Sequence, residues 1–343
     1  MKYIKPDKIF YHPDRLSQWM NEETVKPITA EIHLSNRCNN ACTYCGQKQN
    51  QNGKDMSIEN IKMLRKFVNY SGVKSVYFSG GGESTLNKDL FTAIDELKNI
   101  ELGMITNGLV MPDNLIDRYV KEFRWVRISI DAANNETYKN IRGTNSFEQV
   151  KSNITRLLTS KRMNNSNVTV GLQIVVNEYN YDQLFFIITE LTRTFTDIDY
   201  INIRPIEMKI NETPYTQKQL ETIESDIKFF KEYDFHKLII SDKWNMIFAD
   251  KKEFGFKICN AAEFLLTIGI DGDIYPCCHV LDQDDYRFNN IEFPEDFLHY
   301  RKQTLSGLKN KGFNPLICPF ICRGSGINQT LYNMILEKHR NFL

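Results

Sequence analysis

Between residues 28 and 206, strand-like and helix-like segments alternate, with six strands in the series, and this alternation leaves the chain few folds to adopt. "TAEIHL" opens the series at Thr29. The helical stretch "SIENIKMLRKFVNYSG" follows, with Ser57 as N-cap, Ile58, Ile61, Leu64, Phe67 and Val68 at helical spacing, and Gly72 as the stop. "VKSVYFSGGGE" runs a strand into a glycine loop. The pattern then repeats: helix 89–98, strand "LGMITNG", helix 114–123, strand "WVRISID", helix 147–159, strand "VTVGLQIVV", helix 181–194 and strand "YINIRP". Nearly continuous apolar strand cores separated by helices predict an α/β fold, a parallel sheet covered by helices. Closed or partly closed into a barrel, such a sheet carries its working residues at the C-terminal strand ends. The chemically notable residues gather there: Cys38 to Cys45 after the first strand, Gly80 to Glu83 after the second, Thr106 to Gly108 after the third and Asp131 after the fourth.

The 343 residues are enough for one large domain with an appendage, or for two domains. Cys38, Cys42, Cys45, Cys259, Cys277, Cys278, Cys318 and Cys322 fall in two groups separated by 213 cysteine-free residues (46 to 258). The N-terminus "MKYIKPDKIFYHPDRL" has no apolar signal core, and no run approaches the roughly 18 apolar residues of a spanning helix. The reading is therefore a cytoplasmic chain, in which clustered cysteines point to metal or redox chemistry more than to disulfides. With 43 basic and 43 acidic residues the net charge is zero, which supports neither a nucleic-acid nor an anionic-membrane partner. In Cys38-x3-Cys42-x2-Cys45 the count of three is informative. A closed zinc site takes four ligands and a disulfide two, so three thiolates leave an inorganic site with one open position.

Together, the cysteine loop, "SGGGES" (79–84) after the second strand and "TNG" (106–108) after the third closely resemble the radical S-adenosylmethionine (SAM) superfamily, over residues 28 to 206. The resemblance implies a partial (β/α)6 TIM barrel in which Cys38, Cys42 and Cys45 bind three irons of a [4Fe-4S] cluster. The fourth iron is chelated by SAM, whose reductive cleavage yields a 5′-deoxyadenosyl radical that removes a substrate hydrogen. It also implies an external one-electron donor of flavodoxin or ferredoxin type. Tyr44 is then expected against the adenine, Gly80, Gly81 and Gly82 beside the SAM amino group, and Glu83 as an acceptor there. Ser84 stands where the family often has proline. Asn107, Ser129 and Asp131 take positions of ribose or carboxylate contacts, and Arg142 that of a partner for the SAM carboxylate. Gln173, Asn177, Arg204 and Glu207 are candidates to face substrate, whereas His33 reads as a packed core histidine.

The later cysteines form C-x12-G-x4-C from Cys259 through Gly272 to Cys277, followed by Cys318 and Cys322 in "CPFIC". This resembles the twitch module, the shortened relative of the SPASM domain, and implies one auxiliary [4Fe-4S] cluster on Cys259, Cys277, Cys318 and Cys322; a zinc ribbon on the same four is the alternative. The expected organisation is an N-terminal extension (1–27), the barrel core (28–210), a linking helical segment (211–257), the twitch-like module (258–326) and a C-terminal helix (327–343). Cys278 is left over. Radical SAM epimerases use such a thiol to return a hydrogen atom to the opposite face of a carbon radical, which makes Cys278 the candidate catalytic residue and an epimerase the leading expectation. A two-electron radical dehydrogenase, a peptide cross-linking maturase and a non-catalytic metal-binding protein are the alternatives. Only about 28 residues precede the first strand, which leans toward a sugar, aminocyclitol or other small polar substrate, with a ribosomal peptide also open.

Overall fold

The computed structural model describes residues 6–336 apart from 49–50, 210–211, 213, 234–236, 250–252, 255, 312–317 and 320. Its strands are β1 (Thr29–His33), β2 (Ser75–Ser79), β3 (Glu101–Thr106), β4 (Phe123–Ser129), β5 (Thr169–Val176), β6 (Tyr200–Pro205), β7 (Leu238–Ile240), β8 (Leu265–Ile268), β9 (Asp273–Tyr275) and β10 (Asn289–Asn290). They form one sheet in the order β10-β9-β8-β1-β2-β3-β4-β5-β6-β7, open between β10 and β7. The six strands read from sequence are its parallel centre. The fold is thus a partial barrel.

The helices form where local chemistry directs them. In helix Ile58–Ser71, Ser57 accepts from the Asn60 N–H at 3.2 Å, Gly72 closes the other end at φ 73°, and Ile61, Leu64, Phe67 and Val68 are buried. The helix-facing side of the sheet is one continuous apolar row: Ile32, Phe78, Met104, Val126 and Val170 are successive register partners, all fully buried. By strand alternation the row of Glu31, Tyr77, Gly103, Trp125 and Thr169 faces the barrel interior instead.

The sequence places a helix over 216–235 and a short hairpin at "DGDIYPCC", but not helix Asn135–Arg142, strand β7 or the pairing of the hairpin with β1. Helix Asn135–Arg142 follows β4 and ends on Gly143 at φ 73°. Within the expected linking segment, helix Gln217–Glu232 is followed by the short strand β7 on β6, then by helix Lys243–Ile247, where the Trp244 indole N–H donates to Ile203 O at 3.4 Å. The Asp-Gly-Asp hairpin forms as β8 and β9, with Gly272 at φ 83°, and β8 pairs in parallel with β1. The cysteine-rich C-terminal region therefore extends the same sheet as the barrel. At the strand starts, Leu16, Val25, Ile28, Phe264 and Leu331 form a second small core that joins the N-terminal segment to helix Ser325–Leu336.

Candidate active site

The cysteine loop leaves β1 and is stitched down on both flanks. On one side Gly82 N–H donates to Ser35 O at 3.0 Å and Glu83 N–H to Arg37 O at 2.7 Å. On the other, Ala41 N–H donates to Arg142 O at 2.8 Å and Thr43 N–H to Ile141 O at 3.0 Å. The backbones approach so closely that a Cβ on Gly82 would fall 2.0 Å from the Arg37 carbonyl oxygen. Gly82→Ala is accordingly expected to destabilise the fold by about 3 kcal/mol and to lower iron uptake, read by thermal melting and metal analysis.

Cys38, Cys42 and Cys45 are half-buried and line a cavity of about 240 Å³ at the C-terminal strand ends, together with Tyr44, the Gly80–Glu83 loop, Asn107, Ser129 and Arg142. Eleven of the residues singled out from sequence for the first cluster and SAM thus share one cavity: the three thiols, Tyr44, Gly80, Gly81, Gly82, Glu83, Asn107, Ser129 and Arg142. Gln173, Arg204 and Glu207 line it too. Asn177 is turned away, its amide donating to Val175 O at 2.9 Å and its oxygen accepting from Tyr179 N–H.

The polar residues around the cavity brace one another. Glu83 is buried and accepts from Asn107 N–H at 2.7 Å, from the hydroxyls of Thr106 and Thr85 at 2.8 Å each, and from Thr85 N–H at 3.3 Å. Burial raises its pKa even against those four bonds. Its role here is to lock the glycine loop to the strand-three loop. The Asn107 amide donates to Asn39 Oδ1 at 2.6 Å, which ties that loop to the cysteines. Asp131, at φ 61°, accepts from Val175 N–H at 2.7 Å, pairs with Arg142 at 2.5 Å and accepts from the Tyr44 hydroxyl. The Arg142 guanidinium lies 5.7 Å from the Tyr44 ring centroid and 3.5 Å from Cys42 Sγ. Arg142 is thus already engaged by Asp131, and it faces Cys42 from the last turn of a helix that the sequence pattern did not reveal.

The donor chemistry fits an iron–sulfur cluster. Burial pushes the Cys38 thiol up to about 11 and raises Cys42 against the opposing charge of Arg142. Such thiols become ligating thiolates only with strong positive charge beside them, which a cluster supplies.

The second group converges as well. Burial and then Cys259 push the Cys277 thiol up to about 12, and burial and then Cys259 raise Cys322 to about 11. Burial and then Cys277, Cys259 and Cys322 raise Cys318. These four thiols are thus near enough to feel one another's charge, with the Asn328 amide 3.4 Å from Cys259 Sγ. Among the described residues, no three His, Cys, Asp or Glu side chains sit close enough to hold a single metal ion. Thiolates at the corners of a cubane stand wider apart than the ligands of one tetrahedral ion. Cys278 borders a second neighbourhood: after burial, its thiol responds to Glu31, Arg323 and then Cys277 and Glu207, and Arg323 acts on Cys277 as well. Cys277 is extended (φ −163°, ψ 168°), and Cys278 opens a short 3-10 turn.

Around Cys278 lies a charged interior the sequence reading missed, apart from His33, Arg204 and Glu207. Arg323, next to Cys322, forms an ion pair with Glu31 on β1, contacts the Tyr77 hydroxyl and donates to Thr267 Oγ1 at 3.0 Å. The Glu31 carboxylate also accepts from Tyr77 at 2.8 Å and meets His33 Nε2 at 3.1 Å, so His33 is a packed interior histidine. Burial opposes ionisation of Glu31, but Arg323 and then His33 hold its carboxyl well below the usual range. Glu207 pairs with Arg204 at 3.0 Å, with Lys243 at 3.6 Å and with His279 at 3.6 Å; against burial, these neighbours hold it down at about 2. The signal available in sequence was "TAEIHL", where alternation puts Glu31 and His33 on one inner face. Arg323→Met would strand the Glu31 carboxylate and is expected to cost about 3–5 kcal/mol in a denaturant melt.

Residues 32–185 match the radical SAM superfamily. This chain carries a radical SAM domain. The family uses a [4Fe-4S] cluster and SAM, and the cavity lined by Cys38, Cys42 and Cys45 is where this chain would hold both. Among similar sequences are a probable GTP 3′,8-cyclase of Saccharolobus islandicus, 29% identical over 182 residues (51% of this chain, 56% of the relative), and the GTP 3′,8-cyclase of Clostridium perfringens, 26% identical over 183 residues (51% and 55%). The match thus spans about half the length of the curated relatives. Among solved structures, Streptococcus suis SuiB bound to S-adenosylmethionine aligns with a TM-score of 0.66 at 16% identity, over 97% of this chain and 80% of that one. Native anSMEcpe with bound AdoMet aligns with a TM-score of 0.61 at 19% identity, over 82% and 83%. At these identities the likeness is one of fold.

Proposed function

We propose that this radical SAM chain is an epimerase that inverts a carbon centre of a polar substrate, with Cys278 as the hydrogen-atom donor and one auxiliary [4Fe-4S] cluster on Cys259, Cys277, Cys318 and Cys322. What supports this reading is the difference between the adjacent pair: beside Arg323, which acts on both, Cys277 feels Cys259 and Cys322, whereas Cys278 feels Glu31 and Glu207. Glu207 lines the cavity of the first three cysteines, and the Gln47 amide donates to Cys278 O at 3.4 Å, which ties the cysteine loop to Cys278.

When bound, the cluster and SAM supply a carbon radical that accepts one hydrogen atom from the substrate. The chain's own residues do the rest. Arg204 and Glu207 offer donors and an acceptor at the cavity wall to orient the substrate. Burial keeps Cys278 protonated, as a hydrogen donor must be. Its S–H bond breaks as a C–H bond forms on the opposite face. One electron from a flavodoxin- or ferredoxin-type donor and one solvent proton then restore the thiol. Fold neighbours solved with peptides bound, SuiB with precursor peptide SuiA and anSMEcpe with Cp18Cys peptide, make a peptide residue the first substrate to try, ahead of a sugar or aminocyclitol.

The test is turnover in deuterium oxide. The epimerase reading expects product of unchanged composition carrying one non-exchangeable deuterium at the inverted carbon. Product two hydrogens lighter than substrate would assign a two-electron dehydrogenation instead, and product without solvent deuterium would refute the role of Cys278.

A further inference from the structure

A second cavity, of about 630 Å³, opens at the other end of the barrel, among the strand starts. It is larger than the cavity at the cysteines and falls in the range of small-molecule sites. Where a closed barrel fills this level with branched aliphatic side chains, two glycines here make way for rings. A Cβ on Gly103 would lie 2.3 Å from the Trp125 ring, and one on Gly171 would lie 2.1 Å from the Tyr200 ring. Trp125 and Tyr77, with ring centroids 5.7 Å apart, line the cavity as an aromatic wall.

Arg127 projects from β4 into this space. Its side chain makes no hydrogen bond or ion pair with any described residue, its Nε is buried and unpartnered, and its guanidinium stands 5.7 Å from the Trp125 ring centroid. Other cavity-lining arginines in this chain are engaged: Arg124 meets Glu101 at 3.5 Å, Arg142 meets Asp131 and Arg204 meets Glu207. Arg127 is half-buried, and its buried Nε–H is a donor whose burial is costly unless something accepts from it. The surrounding charge favours an anion, since Lys74, Arg124 and Arg127 line the cavity against Glu101.

We propose that this barrel-floor cavity binds a small aromatic carboxylate, with the carboxylate in the fork of Arg127 and the ring against Trp125 and Tyr77. Guanidinium matches a carboxylate bidentately, and planar aromatic walls take a planar body. The two cavities are lined by different residues apart from Ile105, the register partner of Arg127.

The test uses the full chain with its clusters reconstituted, labelled with 5-fluorotryptophan and titrated with phenylacetate or its neutral isostere phenylacetamide. The Trp125 fluorine resonance, assigned by its loss in Trp125→Phe, is expected to shift saturably with phenylacetate and not with phenylacetamide, while the Trp244 resonance stays put. Arg127→Met is expected to weaken phenylacetate binding about tenfold or more, with the melting temperature and SAM cleavage unchanged. A Trp125 resonance indifferent to phenylacetate, equal response to the amide, or wild-type affinity in Arg127→Met would each overturn the proposal. If Arg127→Met does not fold, the acid–amide comparison on the unmutated protein decides alone.

Discussion

Cys278→Ala protein is expected to go on cleaving SAM at close to the wild-type rate while its yield of inverted product falls on the order of a thousandfold, the pattern of a group used only after the substrate radical exists. Two features separate this residue from its neighbour. Cys277 shares electrostatics with Cys259, Cys318 and Cys322, so its loss would strip the proposed auxiliary site. Cys278 is tied to Glu31, Arg323 and Glu207, and its removal deletes one sulfur from the interior wall. The test is paired: 5′-deoxyadenosine and epimer are quantified in the same reaction. Loss of both products together would make Cys278 structural, and retention of both would assign the hydrogen donor elsewhere.

The second large effect concerns the opening trio. Replacing Cys38, Cys42 and Cys45 together by alanine is expected to abolish SAM cleavage and to remove about four irons per chain, one cubane's worth. Replacing Cys259 and Cys318 is expected to remove a similar amount while leaving the first site loaded. The two losses are separable because the sites rest on different supports. The first trio hangs on the β1 loop, stitched to Gly82, Glu83, Ile141 and Arg142. The quartet gathers from the hairpin region and the segment before helix Ser325–Leu336. Metal analysis of each variant reads the effect, and an unchanged iron content in the first would contradict it.

Much of this was legible in the chain because the signals were periodic or compositional. The apolar row from Ile32 to Val170 repeats strand after strand, and the glycine and cysteine loops fall at matched strand ends. The illegible parts follow from tertiary partners. Helix Asn135–Arg142 is only eight residues long and polar, too short for a clear period, yet its last carbonyls hold the cysteine loop. Strand β7 has three residues, below any alternation signal. Glu31 and Arg323 are 292 positions apart, and no local pattern pairs them. Roles carried over from the family resemblance met the same limit. Arg142 and Glu83 stand at the expected cavity, but what each touches depends on Asp131, Thr85, Thr106 and Asn107 folding around them.

The central claim is that three thiols of the β1 loop hold a cubane with one iron left for SAM. It is tested most directly by Mössbauer spectra of the anaerobically reconstituted, iron-57-enriched wild-type protein, recorded with and without SAM. The account predicts that SAM alters the parameters of a single iron site and leaves the others unchanged. Zinc in place of iron, or spectra identical with and without SAM, would contradict it.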